Sequence, residues 1–442
     1  MERTLINNLK NRIDKEVLIK CWVANIRDKN KIKFIIIRDR TGETQGIALE
    51  EDCEKESFGL ISTIYRESAV EIKGIVKKSE QAKEGYEVLI KNIKILSPSE
   101  PKLPTEVYGK IESNLDTRLD NRFLDTRRKE INAIFRIRSQ VFKSAVEYLD
   151  SQEFTKIATP KITVLGLEGT SNNEKSGSEL FTIDYFGKKA YLAQSPQLYK
   201  QMFVAGGFER VYDIGPVFRA EKSHTTRHVT EFTGIDFEMG FIENENEIID
   251  VAEGLIKYIT TKINEKCKKE LEILNREISI PKKIPRLDIN EIREILKQKG
   301  KEIPIDEDLD AEGEKILSEY IKEEYDEEFV FALNYPFKKR PFYHMKPEND
   351  PNGTKSFDLI YNGVEIATGS QREHRIDILA KQAKEKGLDL DQMPEYKKIF
   401  MYGCPPHGGM GLGLDRIVEK ILKLDNIRET ILLPRDPERL KP

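Results

Sequence analysis

At 442 residues the chain is too long for one ordinary hydrophobic core, so two to three domains are expected. With 38% hydrophobic and 34% charged residues and a mean hydropathy of −0.55, it can bury a core but has no apolar surplus for lipid, so neither wholesale disorder nor a membrane span is expected. Lys plus Arg (73) against Asp plus Glu (77) leaves a net charge of −4, so any contact with a polyanion must be local.

The first residues, MERTLINNLKNR, lack the apolar stretch of a secretory signal, which implies a cytoplasmic location. Residues 1–40 hold eleven Lys/Arg and five Asp/Glu, a net of +6 that reads either as a solvated face or as an RNA-facing one. From 17 to 97, short apolar runs such as VLIKCWVANI and GYEVLIKNIKIL alternate with turn signals, the rhythm of a small all-β barrel. Three prolines in LSPSEPKLPTEVYG (96–109) end that domain. Ile131, Ile134, Phe135, Val141, Phe142, Ala145, Val146 and Leu149 then follow a helical period and predict a long amphipathic helix. Strand-like segments to about 240, helical and acidic material from 243 to 330, further strands and a helix near 414–424 make the larger part α+β. Residues 301–328 carry three Lys and thirteen acids, which reads as a solvated face, and the polar tract 170–177 has a disordered composition. Cys21, Cys53, Cys267 and Cys404 form no CxxC pair and the five His show no HExxH spacing, so neither disulfides nor structural zinc is expected.

Four segments could carry chemistry. In LAQSPQLYKQMF (192–203), Lys200 follows Ser195 by five residues at an apparent helix start; by itself it is an ordinary surface lysine. In 210–241 two apolar runs flank a polar loop holding Arg219, Glu221, Arg227 and His228. Alternation puts Arg219 and Glu221 on one face of the first strand, and Phe232, Asp236 and Glu238 on one face of the second. An aromatic plane, an arginine fork and a carboxylate there could hold a purine, a phosphate and an ammonium group; a surface hairpin with ion pairs is the bland alternative. In SFDLIYNGVEIATGSQRE (356–373), Asn362-Gly363 predicts a two-residue hairpin turn, with Ile360 facing Glu365, Leu359 facing Ile366 and Asp358 facing Ala367. Asp358 and Glu365 then lie diagonally on one face, roughly 7–8 Å apart, where they could share Mg²⁺ carrying substrate phosphates or simply mark an exposed acidic hairpin. Finally, glycines 408, 409, 411 and 413 lead into a helical run with Arg416; neither a GK[ST] nor a βαβ context accompanies them, which rejects a P-loop and a dinucleotide fingerprint.

In combination these segments resemble the three signature motifs of class II aminoacyl-tRNA synthetases, and specifically the aspartyl-tRNA synthetase family in its archaeal and eukaryotic-like form, over nearly the whole chain. The helix at 131–150 with the strand ending at Pro160 resembles motif 1, FRAE through Phe232 motif 2, and GMGLGLDR motif 3; their order with QSPQLYKQ and the ending PRDPERLKP makes the likeness specific. The resemblance implies an α+β fold: an OB-fold anticodon-binding barrel over 1–100, a linker or hinge over 101–125, and a catalytic domain over 126–442. That domain would hold an antiparallel sheet flanked by helices and a helical, acidic insertion around 243–330, and would dimerise through motif 1 with Pro160 at the interface.

It also implies the activity, ATP-dependent attachment of L-aspartate to tRNA(Asp) through an aspartyl-adenylate, with charging of tRNA(Asn) left open. Arg219 and Arg416 match the motif 2 and motif 3 arginines, with Phe232 stacking on adenine; Glu221, Arg227 and His228 would complete the ATP site, and Asp358 and Glu365 match the Mg²⁺ carboxylates. Lys200 and Arg372 match the cations for the aspartate side chain, with Asp236 on the ammonium, Ser195 and Gln197 in support, and Glu168 on a mobile loop. Where relatives read roughly EGG and then ELF, this chain has Glu168-Gly169, seven extra residues (170–176), and then GSELF. In the barrel, Arg27, Phe34, Gln45 and Glu87 match anticodon-reading positions. Two alternatives remain: an asparaginyl-tRNA synthetase, whose pattern lacks the lysine of QSPQLYK, and a non-catalytic synthetase-derived RNA-binding protein, which would be free to lose the arginines.

Overall fold

A computed structural model describes residues 1–109, 113–164, 180–220, 222 and 225–442, so the polar tract 170–177 lies outside the described residues. The chain divides into two compact units, Met1–Asn132 and Ala133–Pro442.

In the first unit, β1 (Glu16–Lys29), β2 (Ile32–Asp39), β3 (Gly42–Leu49), β4 (Ala69–Lys78) and β5 (Tyr86–Ser97) close into a barrel in the order β1-β2-β3-β5-β4. Alternate residues point inward: Val17, Ile19, Cys21 and Val23 from β1, Ile35 and Ile37 from β2, Val70 and Ile72 from β4, Val88 and Ile90 from β5. Full burial of each Val or Ile is worth about 1.5–3 kcal/mol, enough for one small core to fix the strand register. A bulge between Val23 and Asn25 shifts the alternation toward the end of β1. Two short helices follow, Leu115–Asp120 and Arg122–Asp125, where the buried Asp125 accepts from Arg118 at 3.1 Å and Arg122 at 2.5 Å.

The second unit is built on β6 (Thr155–Lys156), β10 (Arg210–Phe218), β11 (Glu231–Gly240), β12 (Arg286–Asp288), β13 (Phe329–Leu333), β14 (Ser356–Tyr361), β15 (Val364–Arg372) and β16 (His407–Gly413). They form one sheet in the order β12-β13-β14-β15-β16-β11-β10-β6, while β7 (Ile162–Thr163), β8 (Thr182–Tyr185) and β9 (Lys188–Leu192) make a small second sheet. The expected antiparallel sheet is thus a mixed one: its six inner strands run antiparallel, but β6 pairs parallel with β10 and β12 parallel with β13. Both parallel pairs are short edge additions supplied by segments that arrive after helices or loops.

Helices flank this sheet. Lys129–Ser151 buries Ile137, Val141, Ala145 and Leu149, and Asn246–Lys266 buries Ile248, Ala252, Leu255, Ile259 and Ile263. From the acidic region, Ile289–Gln298 and Ala311–Tyr325 pack Ile292, Leu296, Leu317 and Ile321 against β12–β14. Each is capped by an aspartate, Asp288 on the N–H of Asn290 and Asp310 on that of Gly313.

The 356–373 hairpin turns at Asn362 (φ 46°) and Gly363 (φ 77°), the double positive φ that a two-residue turn demands. Ile360 faces Glu365 as expected, but a bulge then inserts Ile366, so Leu359 pairs with Ala367 and Asp358 with Thr368. The register predicted from the turn alone is therefore off by one beyond Ile360.

Candidate active site

Along β11, Phe232, Asp236 and Glu238 share a face, and β10 and β16 flank it. Opposite the two acids, β16 places glycines: Gly411 faces Asp236 and Gly409 faces Glu238. A Cβ at Gly409 would lie 2.1 Å from the Phe237 carbonyl and 2.3 Å from Glu238 Oε2, and one at Gly411 would lie 2.9 Å from Asp236 Oδ1. The glycines of 408–413 thus form a strand that leaves room for carboxylates, rather than only a helix entry. Arg416 follows in the first turn of the helix Leu414–Leu422. That turn is pinned by Asp415, which accepts from Arg138 Nε at 3.0 Å and from the Thr233 N–H at 2.9 Å.

These strands enclose a cavity of about 300 Å³. Its walls bring together Ser195, Gln197, Arg219, Arg227, His228, Phe232, Asp236, Glu365, Arg372 and Arg416, residues scattered over more than 200 positions of sequence. Arg219 lies just past β10, its guanidinium 5.4 Å from the Phe232 ring centroid. Arg416 donates to the Glu365 carbonyl at 3.0 Å and lies 3.6 Å from its carboxylate. His228 Nδ1 is 2.6 Å from Thr225 Oγ1, and Ser195 accepts from the N–H of Gln197 at 3.1 Å. Glu168 and Glu221 lie outside the described residues.

The two expected metal carboxylates are not equivalent. Asp358 is buried, with its oxygens taken by Arg340 at 3.0 and 2.6 Å. Glu365 lines the cavity, where burial and then the Asp358 charge push its pKa up against Arg416 and Arg340. Because of the extra Ile366, Thr368 lies on the same face as Glu365 and donates to its Oε1 at 3.2 Å. Glu314, in the run expected to be a solvated face, is pushed up to about 8 by burial, Glu365 and Asp358, against Arg416 and Arg227.

Lys200, on the helix Gln197–Phe203, is fully buried beneath the cavity wall. It donates to Asp236 Oδ1 at 3.0 Å and to the carbonyl of Met410 at 3.2 Å, with Glu238 Oε2 at 3.4 Å. Arg372 donates through Nε to Glu238 Oε1 at 3.0 Å and through Nη2 to Gln197 Oε1 at 3.0 Å. The doubly cationic niche is therefore matched by two carboxylates. Burial pushes Glu238 up, but Arg372, Lys200 and His407 overcome it and hold it low; Asp236 is raised by burial in spite of Lys200. Glu238 is the residue that sequence reasoning placed on the right face without giving it a role. Its spacing of two from Asp236 was the available signal, whereas Arg340, His344 and Thr368 carried none.

On the barrel, cross-strand pairing aligns Arg27 with Phe34 and Phe34 with Ile47; the next row aligns Asn25, Ile36 and Gln45, and Gln45 donates to Glu87 at 2.9 Å. The four expected anticodon residues therefore occupy two adjacent rows on the outer face, Arg27 exposed and Phe34 half-buried.

A sheet-floored cavity that combines arginine, aromatic and carboxylate walls, in a chain that also carries an OB barrel, defines the class II tRNA synthetase architecture. Residues 114–437 match the family tRNA synthetases class II (D, K and N), and residues 17–96 match the OB-fold nucleic acid binding domain. The chain is 46% identical over 429 residues to the aspartate–tRNA(Asp) ligase of Pyrococcus abyssi (97% of this chain, 96% of that relative). It is 43% identical over 432 residues to the aspartate–tRNA(Asp/Asn) ligase of Methanopyrus kandleri (98% and 97%). Its structure superposes on asparaginyl-tRNA synthetase from Pyrococcus horikoshii complexed with asparaginyl-adenylate with a TM-score of 0.92, 31% identity and full coverage of both chains. The chain belongs to the aspartate–tRNA ligase family of class II tRNA synthetases.

Proposed function

We propose that the chain, an aspartate–tRNA ligase by family, activates L-aspartate with ATP in the cavity described and transfers it to tRNA(Asp). One observation carries the reading: Arg219, Phe232, Glu365 and Arg416 converge on one cavity that Gln197, Asp236 and Arg372 also line, with Lys200 bonded to Asp236 behind it. Attack of the aspartate α-carboxylate on the α-phosphorus releases pyrophosphate and builds negative charge, which Arg219 stabilises. Phe232 and Arg416 take the two faces of adenine, and Arg227 and His228 the terminal phosphate. Asp236 receives the ammonium group, and Arg372 and Lys200 balance the side-chain carboxylate. Direct attack by the substrate carboxylate needs no covalent nucleophile from the chain, so positioning and charge carry the catalysis.

Mg²⁺ fits the Glu365 wall. Among the described residues no cluster of three or more His, Cys, Asp or Glu could hold a metal ion unaided, and Mg²⁺ characteristically uses one or two carboxylates plus substrate phosphates. Burial first and the neighbouring Asp358 charge second raise the Glu365 pKa, so a cation at that wall would favour its ionised form. When bound, the ion would neutralise triphosphate charge; Glu365 would hold it with Thr368 in support, and Asp358 would have to share its oxygens with Arg340.

Pyrophosphate exchange tests the substrate: aspartate is expected to exceed asparagine on the order of 100-fold or more, since once Asp236 turns to the substrate ammonium, Lys200 and Arg372 share only Glu238 and a neutral side chain leaves one buried positive charge unmatched. Exchange with asparagine alone would overturn the assignment. Product on a tRNA(Asp) transcript but not on tRNA(Asn) supports the narrower substrate; product on both extends it to the range named for the Methanopyrus relative. For Phe34→Ala, aminoacylation kcat/KM for tRNA is expected to fall about 10-fold or more through lost base stacking. Exchange without tRNA should be unchanged, and unaltered charging would remove the anticodon assignment. We further propose a cytoplasmic homodimer through the segment around Pro160, where Pro160, Ile162 and Val164 are exposed. Among the described residues no helix is long and apolar enough to cross a membrane.

A further inference from the structure

β10 and β11 set two carboxylates face to face: Asp213 is the direct cross-strand partner of Asp236, which places their Cβ atoms roughly 4.5–5.5 Å apart on one face of the sheet. Like charges so placed repel, and each acid meets a cation from a different part of the chain. Asp236, which lines the cavity, takes Lys200 at 3.0 Å. Asp213, buried, takes Lys161 from the segment that follows Pro160 at 2.9 Å. Thr159 Oγ1 donates to the same oxygen at 2.5 Å and accepts from Lys161 at 3.0 Å, which closes a triangle. The next cross-strand pair is Gly215 with Gly234. A Cβ at Gly215 would meet Lys161 Nζ at 3.3 Å, and one at Gly234 would meet Asp236 Oδ2 at 2.7 Å, so the ammonium and the carboxylate overhang the same bare pair. On the remaining sides of Asp236, β16 presents Gly411, while Glu238 and Arg372 are bonded to each other at 3.0 Å. Burial raises the pKa of Asp236 and Lys200 opposes it; beyond these, Asp213 raises it and Lys161 lowers it.

We propose that Asp213 and Lys161 are positioning residues for the substrate ammonium: bonded to each other beside the bare glycines, they keep Lys161 off Asp236 and leave Asp236 as the acceptor that the ammonium meets. This rests on the reading above in which Asp236 receives that ammonium. With Asp213 neutralised, Lys161 has no carboxylate of its own and turns across Gly215 and Gly234 toward Asp236, in competition with the substrate. With Lys161 removed, the unbalanced charge of Asp213 works against an ionised Asp236 directly opposite. With both removed, the two disturbances cancel.

Full-length Lys161→Met, Asp213→Asn and the double variant test this in pyrophosphate exchange, with kcat/KM for aspartate followed across the acid and neutral range. Asp213→Asn keeps an acceptor for Thr159 while removing the charge. Asp236 must be ionised to hold the ammonium, so kcat/KM falls as pH drops through its pKa. Loss of the cation raises that pKa, so the acid limb of Lys161→Met is expected to move up by about half a pH unit or more; loss of the anion lowers it, so the limb of Asp213→Asn moves down. At neutral pH each single variant should raise the KM for aspartate about 5-fold or more, with kcat within about threefold and the KM for ATP within about twofold. The double variant should bring the limb back toward the parent position and the KM to within about threefold of the parent, a recovery that two merely structural lesions, which add, do not give. Acid limbs that move together or not at all, a parallel rise in the KM for ATP, or a double variant no better than the worse single one would overturn the proposal. A parent that exchanges with asparagine and not aspartate would instead overturn the substrate reading alone, because both amino acids carry the same ammonium and the cycle is then read with asparagine.

Discussion

Arg219→Ala is expected to reduce aspartyl-adenylate formation by at least about 10³-fold, the scale seen when a single arginine is withdrawn from a phosphoryl-transfer transition state. The argument is geometric. Arg219 sits at the end of β10, its backbone N–H bonded to the Thr230 carbonyl at 2.9 Å, so the strand pairing aims the side chain. The guanidinium hovers over the Phe232 ring and lines the cavity. A half-buried arginine whose side chain makes, among the described residues, only that aromatic contact contributes little to stability, so melting should barely shift. Binding of tRNA should stay near the parent value, because the proposed anticodon rows belong to the barrel. Arg219→Lys should recover only part of the rate, since an ammonium retains charge but not the planar fork. Exchange within tenfold of the parent, or an equal loss of tRNA affinity, would remove Arg219 from its role.

Lys200→Met should damage both fold and function. The fully buried ammonium faces Asp236 and Glu238, and removing one member of a buried ion cluster costs about 3–5 kcal/mol because the remaining charge stays desolvated. Asp236, already raised by burial, loses the cation that opposed the shift and rises further. A carboxyl whose folded pKa lies above its unfolded value favours folding where it is protonated and loses that advantage as pH rises through the folded pKa. The stability deficit of the variant should therefore be largest at neutral pH and shrink as pH falls toward the ordinary carboxylate range near about 4. Removing both partners in Lys200→Met/Asp236→Asn should restore much of the stability without restoring aspartate-dependent exchange. Denaturant titration and exchange measured on the same three proteins check this; a double variant no more stable than Lys200→Met would contradict the pairing.

How much of this could be seen in the sequence follows the range of the interaction concerned. Asn362-Gly363 dictated its own turn, and the first two pairs of the hairpin followed. The inserted Ile366 did not follow, because a bulge is settled by packing across β14 and β16 rather than by turn chemistry. Strand alternation placed Phe232, Asp236 and Glu238 on one face, yet the partner that makes Glu238 matter, Arg372, lies 134 positions away. The pair Arg340–Asp358 spans two elements, and no local period announces it. In the acidic region each charge was visible, but the inward turn of Glu314 depends on the helix that carries it packing against β13 and β14. The barrel was legible because most of its core obeys a period of two, interrupted only locally by bulges such as that between Val23 and Asn25.

The glycines of β16 also constrain how this scaffold can be modified. Where β16 must stay glycine to admit its neighbours' acids it offers no side chain to vary, and a methyl group at Gly409 would strike backbone as well as carboxylate. Redesign of amino-acid choice must therefore be written into the two flanking strands, one presenting Asp236 and Glu238 and the other Arg372, with the central ribbon kept as a fixed spacer. Libraries that include Gly409 and Gly411 would spend diversity on positions able only to break the cavity.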